Sequence, residues 1–136
     1  FAVQTGSDVI LNNGKYLTLA ISGYSYQGGA HGNQAMAMNT FDVKTGKTLS
    51  WDDLVTDKAA LQALVERKVR EARADVFADG FNFGEHFPFV LPANFGLKQD
   101  GLLLYYVPYE IMPYALGETE LLLSFADLGA LAKVRL

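Results

Sequence analysis

From Lys15 to Tyr26 the chain reads KYLTLAISGYSY, and its character alternates residue by residue. Tyr16, Thr18, Ala20, Ser22, Tyr24 and Tyr26 fall on one face, and Leu17, Leu19, Ile21 and Gly23 on the other. A period of two sustained this long predicts a strand, because only extended backbone sends successive side chains to opposite sides. Asn12, Asn13 and Gly14 stand in front of it, after another apolar run. Asparagine and glycine tolerate positive φ, so the triplet predicts a turn from a preceding strand. Gln34 to Val43 predicts a further strand, with Met36 and Met38 on one face and Phe41 on the other. Lys44 to Lys47, KTGK, closes a hairpin after it. Short turns of this kind join strands antiparallel.

The period then changes. Ser50 with Asp53 three residues on resembles a capping box ahead of a short turn. A longer helix starts near Asp57, and Leu61, Val65, Val69, Ala72 and Val76 form its apolar stripe. Glu66 with Arg70, and Arg67 with Glu71, are spaced as helical ion pairs on its solvated side. Residues 78–92 mix aromatics, glycine and proline without a period, which predicts a packed irregular loop. ANFGLKQDGLLLYYVP, ending at Pro108, predicts strand, turn and strand. Tyr109 to Glu118 is a proline-broken connection, TELLLSF a last strand, and the final residues a short helix or tail. The expected fold is α+β: a mostly antiparallel sheet, one long helix packed on one face, the order βββ-α-βββ, and a short C-terminal helix. The whole stretch 1–136 is expected to form a single domain.

Composition narrows the function classes. A net charge of −4 offers no basic stripe for a phosphate backbone, so no nucleic-acid partner is expected. No apolar run approaches the ~20 residues needed to span a bilayer, and LLLYYV at 102–107 is of strand length. The absence of cysteine excludes disulfides and thiolate metal sites. The chain begins at Phe1, not Met, which suits the C-terminal part of a longer exported protein.

The residues able to carry chemistry are few. His31 lies in QGGAHGN, where Gly28, Gly29 and Gly32 free the backbone for positive φ and for close approach. Such a loop can present amide N–H groups to an anion, yet it matches neither a phosphate loop nor a dinucleotide fingerprint. It is equally a sharp crossover in which the imidazole bonds local backbone. A metal site built from His31, His86, Glu85 and Glu110 follows no known ligand spacing, so neither metal nor cofactor is expected. Ser22, Ser25 and Ser124 have no nucleophile elbow, and Asp52 and Asp53 suit a helix start. VPYEIMPYALG is the other unusual stretch: Pro108 and Pro113 stop strand pairing, while Tyr109 and Tyr114 offer rings for packing or for stacking on a sugar.

The segment YSYQGGAHGN resembles the aromatic-x-aromatic-x-GGAHG stretch of a family of bacterial extracytoplasmic domains. That family forms the C-terminal part of the anti-sigma factor RsiV, and a relative precedes the catalytic domain of the peptidoglycan deacetylase PdaC. FDVKTGKTLSWDDL and FGLKQDGLLLYYVPYEIMPYALGETELLLSFADL are similar to further pieces of the family, in the same order, so the resemblance runs from about Ser7 to Leu128. It implies an extracytoplasmic home, in the periplasm or lipid-anchored in the envelope. It also implies a non-enzymatic binding module for a cell-wall glycan or an envelope protein, a lysozyme-like one included. The candidate binding residues are Tyr26, Gly28, Gly29, His31, Tyr109, Glu110 and Tyr114, with no catalytic residue assigned. Two alternatives stand beside this: a glycan-active enzyme or accessory domain pairing His31 with Glu110 or Glu118, and a purely structural domain of a lipoprotein. The GGAHG loop is expected to end the Lys15–Tyr26 strand and to lie close to YEIMPYALG, both interrupting strands of one sheet.

Overall fold

The computed structural model describes residues 2–30 and 32–136. Strands β1 (Ala2–Asn12), β2 (Tyr16–Tyr26) and β3 (Asn33–Asp42) form one antiparallel sheet in that order. Helices α1 (Trp51–Leu54), α2 (Lys58–Ala72) and α3 (Ala74–Ala78) follow. Strands β4 (Asn94–Lys98), β5 (Gly101–Tyr106) and β6 (Thr119–Ser124) make a second antiparallel sheet, and α4 (Phe125–Leu128) comes near the end. The fold is α+β in the expected order. Its six described strands are divided between two sheets of three, so the glycine loop and the tyrosine–proline segment interrupt different sheets.

The local signals act where their chemistry places them. Gly14 takes φ +82° in the Asn-Asn-Gly turn. Ser50 and Asp53 form a reciprocal capping box, and the Asp57 carboxylate accepts from the Ala60 N–H at the start of α2. Leu61, Val65 and Val69 are fully buried. The long stripe is nevertheless broken at Arg73 (φ −116°, ψ 35°), so its continuation through Val76 belongs to a second helix. Both anticipated ion pairs form, Arg70 to Glu66 at 3.4 Å and Arg67 to Glu71 at 4.0 Å, on exposed surface where each adds little. The irregular loop after α3 packs on itself through edge-on contacts among Phe81, Phe83, Phe87 and Phe89. No helix among the described residues is long and apolar enough to cross a membrane.

Strand β5 organises the layers. Leu102, Leu104 and Tyr106 face the helices and join a core with Leu61, Val65 and Val69. Leu103 and Tyr105 point the other way, onto Ala20 and Met38 of the first sheet. Burial on both faces explains why β5 is a continuous apolar run and does not alternate. The seam between the sheets is close. A Cβ at Gly96 would stand 2.5 Å from Thr18 Cγ2 and 3.0 Å from Thr40 Oγ1, so β4 can lie against β2 and β3 only with glycine there. Two side chains stitch the seam: Asn94 Oδ1 accepts from the Met38 N–H, and Thr40 Oγ1 from the Leu97 N–H.

Candidate functional site

Strand length creates the site. The first sheet's strands run 10–11 residues and the second sheet's 5–6. The sheets meet at one end only, where Leu11, Thr18, Ala20, Met38 and Thr40 are buried. At ~3.3 Å per residue, the first sheet overhangs the second by roughly 15 Å. Beneath the overhang lies an open groove of about 420 Å³. Gln4, Ser22, Tyr24, Gln34 and Met36 form its roof, and Tyr105 and Glu118 its opposite wall. Gly6, opposite Ser22, leaves room between these side chains. Burial, with Glu118 and Glu120 nearby, raises the Tyr105 phenol above its ordinary value, so it remains a proton donor at neutral pH. A second concavity of about 520 Å³ adjoins it on Gln34, Ala35 and Met36, walled by Val107, Tyr109 and Glu110.

The glycine loop supports one end of the groove. Gly28 and Gly29 take φ +98° and +101°, which a side chain rarely adopts, and Tyr26 Oη donates to the Gly29 carbonyl at 3.0 Å. Gly32 is buried against Tyr24, where a Cβ would fall 2.3 Å from the ring. Tyr114 Oη donates to the Gly32 carbonyl at 3.2 Å, so the loop and the tyrosine–proline segment do meet. His31, the residue most singled out by sequence, lies outside the described residues.

The other candidates have distinct situations. Tyr109 packs on Tyr114 with ring centroids 5.4 Å apart, is 57% exposed and takes φ +75°. A bulky residue there is strained, and such strain concentrates at functional positions. Glu110 is a brace: its two carboxylate oxygens accept from the N–H groups of Ala93 (2.8 Å) and Val107 (3.0 Å). That arrangement occupies the carboxylate that an acid–base pairing would need. Arg73 reaches from the break after α2 to the Leu116 and Glu118 carbonyls and the Thr119 hydroxyl, and so fixes the backbone that carries Glu118. His86 and Glu85 are exposed in the aromatic loop, and no group of three metal-ligating side chains occurs among the described residues. The groove residues Gln4, Ser22 and Gln34 were not among the candidate binding residues of the sequence. The one available signal was that Ser22 shares the Tyr24 face of β2, and Gln34 the Met36 face of β3.

A family model described as protein of unknown function (DUF3298) matches residues 52–126. A crystal structure of a DUF3298 member from Bacteroides fragilis superposes with a TM-score of 0.81 at 25% identity over 98% of this chain. A DUF3298 protein from Pseudomonas aeruginosa gives 0.76 at 22% identity over 96%. The chain spans 55% and 62% of those two proteins' lengths. A search of curated proteins finds no match.

Proposed function

The chain belongs to the DUF3298 family of proteins of unknown function, and from that premise we propose that it is a non-enzymatic binding module of the bacterial cell envelope whose groove takes a peptidoglycan-type glycan. The observation that carries this reading is the groove under the overhanging sheet. Its roof and wall combine two primary amides, Gln4 and Gln34, with a hydroxyl and two tyrosines. Amides and hydroxyls match the ring hydroxyls and acetamido groups of a saccharide, and tyrosine faces match its apolar CH surface. Among the described residues, Glu118 is the one charged group of the lining, which favours a neutral or amine-bearing sugar over a phosphorylated one. The resemblance to the RsiV C-terminal domain and to the non-catalytic domain of PdaC supports the envelope setting and an extracytoplasmic location. Exposed, strained Tyr109 belongs to the same proposal, as a stacking platform at the adjoining concavity.

The test is a titration of isotope-labelled protein with muropeptides and N-acetylglucosamine oligomers, followed by amide shifts. Expected are saturating shifts at Tyr24, Gln34 and Glu118, lost in Gln34→Ala and weakened several-fold in Tyr109→Gly. Absence of saturable shifts at about 5 mM ligand, where even millimolar affinity would register, overturns the glycan reading. Saturable shifts confined to the Phe81–Phe89 loop would overturn the groove as the site.

A further inference from the structure

Among the described residues, strand β1 is the outer edge of the first sheet, and it is an unusual edge. It runs 11 residues, and Ala2 to Val9 are exposed. Natural sheets blunt long edges with lysine, proline or bulges, because an open row of N–H and C=O groups recruits another strand. AVQTGSDVILN contains no lysine, arginine or proline. Its pairing with β2 is regular from Ala2↔Tyr26 to Val9↔Leu19, and the register shifts only beyond Val9. The opposite edge of the sheet is treated differently: Asn94 and Thr40 link β3 to β4.

We infer that the free edge of β1 pairs antiparallel with β1 of a second copy of this chain, about a two-fold axis at Gly6, joining two three-stranded sheets into one of six. The sequence is self-complementary in that register. Val3 then faces the second copy's Val9, and each of these valines is 64% exposed in the single chain. Thr5 faces Ser7, a hydroxyl pair suited to adjacent strands. Asp8, the single charge on the strand, faces Gln4, whose amide can donate to it. A register centred on Asp8 would set two carboxylates against each other, and one centred on Thr5 would set Val3 against Ser7. A two-fold axis makes every such contact twice, as closed dimers do. Gln4 and Gly6 also line the groove, so the pairing would bring the two grooves together across the axis and suit an extended polymer. The dimer itself does not depend on the ligand assigned above.

Sedimentation velocity from about 1 to about 200 μM decides the matter, spanning the affinity expected of a modest interface. Thr5 and Ser7 are exposed and face each other in the proposed register. The double variant Thr5→Glu with Ser7→Glu puts like charges opposite one another and should weaken dimerisation at least tenfold. Thr5→Lys with Ser7→Glu puts opposite charges in the same places and should restore it. A wild-type protein that stays monomeric throughout overturns the inference. So does a dimer indifferent to the paired glutamates, or a lysine–glutamate variant as monomeric as the glutamate pair. A retained cooperative thermal transition identifies folded variants, and if the glutamate pair fails that check, the lysine–glutamate variant decides alone.

Discussion

Thr40 should be among the most sensitive positions in the chain, because one oxygen holds the two sheets together. Thr40 Oγ1 accepts from the Leu97 N–H at 2.9 Å and shares a 2.7 Å hydrogen bond with Thr18 Oγ1. Both threonines are essentially excluded from solvent. Thr40→Val keeps the shape and removes the acceptor. It leaves the Leu97 N–H and the Thr18 hydroxyl buried, and an orphaned buried group costs about 1–3 kcal/mol, so the expected loss is at least about 2 kcal/mol. Thr18→Val removes a single hydrogen bond and leaves the Leu97 N–H satisfied, for a loss of about 1 kcal/mol. The double variant should then lose less than the sum by at least about 2 kcal/mol, since the Thr18 hydroxyl is no longer there to be stranded and its hydrogen bond is not lost twice. Urea unfolding monitored by Trp51 fluorescence reads all three; Trp51 stacks on Phe95 in β4 at 3.7 Å and reports directly on the seam. With a slope of about 1.5 kcal/mol per molar urea, Thr40→Val should lower the midpoint by at least about 1.3 M. A Thr40→Val protein within about 0.5 kcal/mol of wild type, or strictly additive losses, would refute the argument that this oxygen carries the seam.

Two further expectations concern carboxylates. Hydrogen bonds from the Ser50 backbone and then from Lys47 hold Asp53 at about 2, below its ordinary 3.8. A depressed carboxyl stabilises the fold above its unfolded value and ceases to do so as pH falls through its folded value. The thermal midpoint of wild type should therefore exceed that of Asp53→Asn at pH 6, with the gap closing between pH 3.8 and about 2; a gap that widens on acidification contradicts the assignment. Glu110→Ala should destabilise by about 1–3 kcal/mol, because the N–H groups of Ala93 and Val107 lose their acceptor. Unchanged stability together with a lost activity on glycans would revive the carboxylate as a chemical group.

Element identity was legible because it is local. The period of two in β2, the stripe of α2 and the Ser50–Asp53 capping box each lie within a few residues of the structure they specify. What the sequence hid was which side of a strand faces inward. By hydrophobicity the Leu17, Leu19 and Ile21 face of β2 is the one to bury, yet Ile21 is 57% exposed while Thr18 and Ala20 are inside. Period fixes two faces and is silent on their destination, and here the close approach of Gly96 requires small residues opposite it. The break at Arg73 was hidden for a similar reason. The apolar period runs on through Val76, while the interruption coincides with a guanidinium bound to carbonyls more than forty residues away.

The candidate site shows the same division. Glycine, proline and tyrosine in the two connections announced unusual backbone, and Gly32 does meet Tyr114. That meeting alone forms no cavity. The groove exists because an 11-residue β2 continues past the end of a 6-residue β5, a relation between sheets that neither strand encodes by itself. Residues with no local distinction, such as Ser22 and Gln34, thereby become lining, whereas Glu110, distinctive in sequence, is absorbed as a brace. The groove's position should therefore respond to strand length more than to any single side chain. Deleting Tyr24–Tyr26 from the end of β2 and Asn33–Gln34 from the start of β3 would remove Tyr24 and Gln34 from the roof, while the seam at Thr18, Thr40 and Gly96 would stay in place.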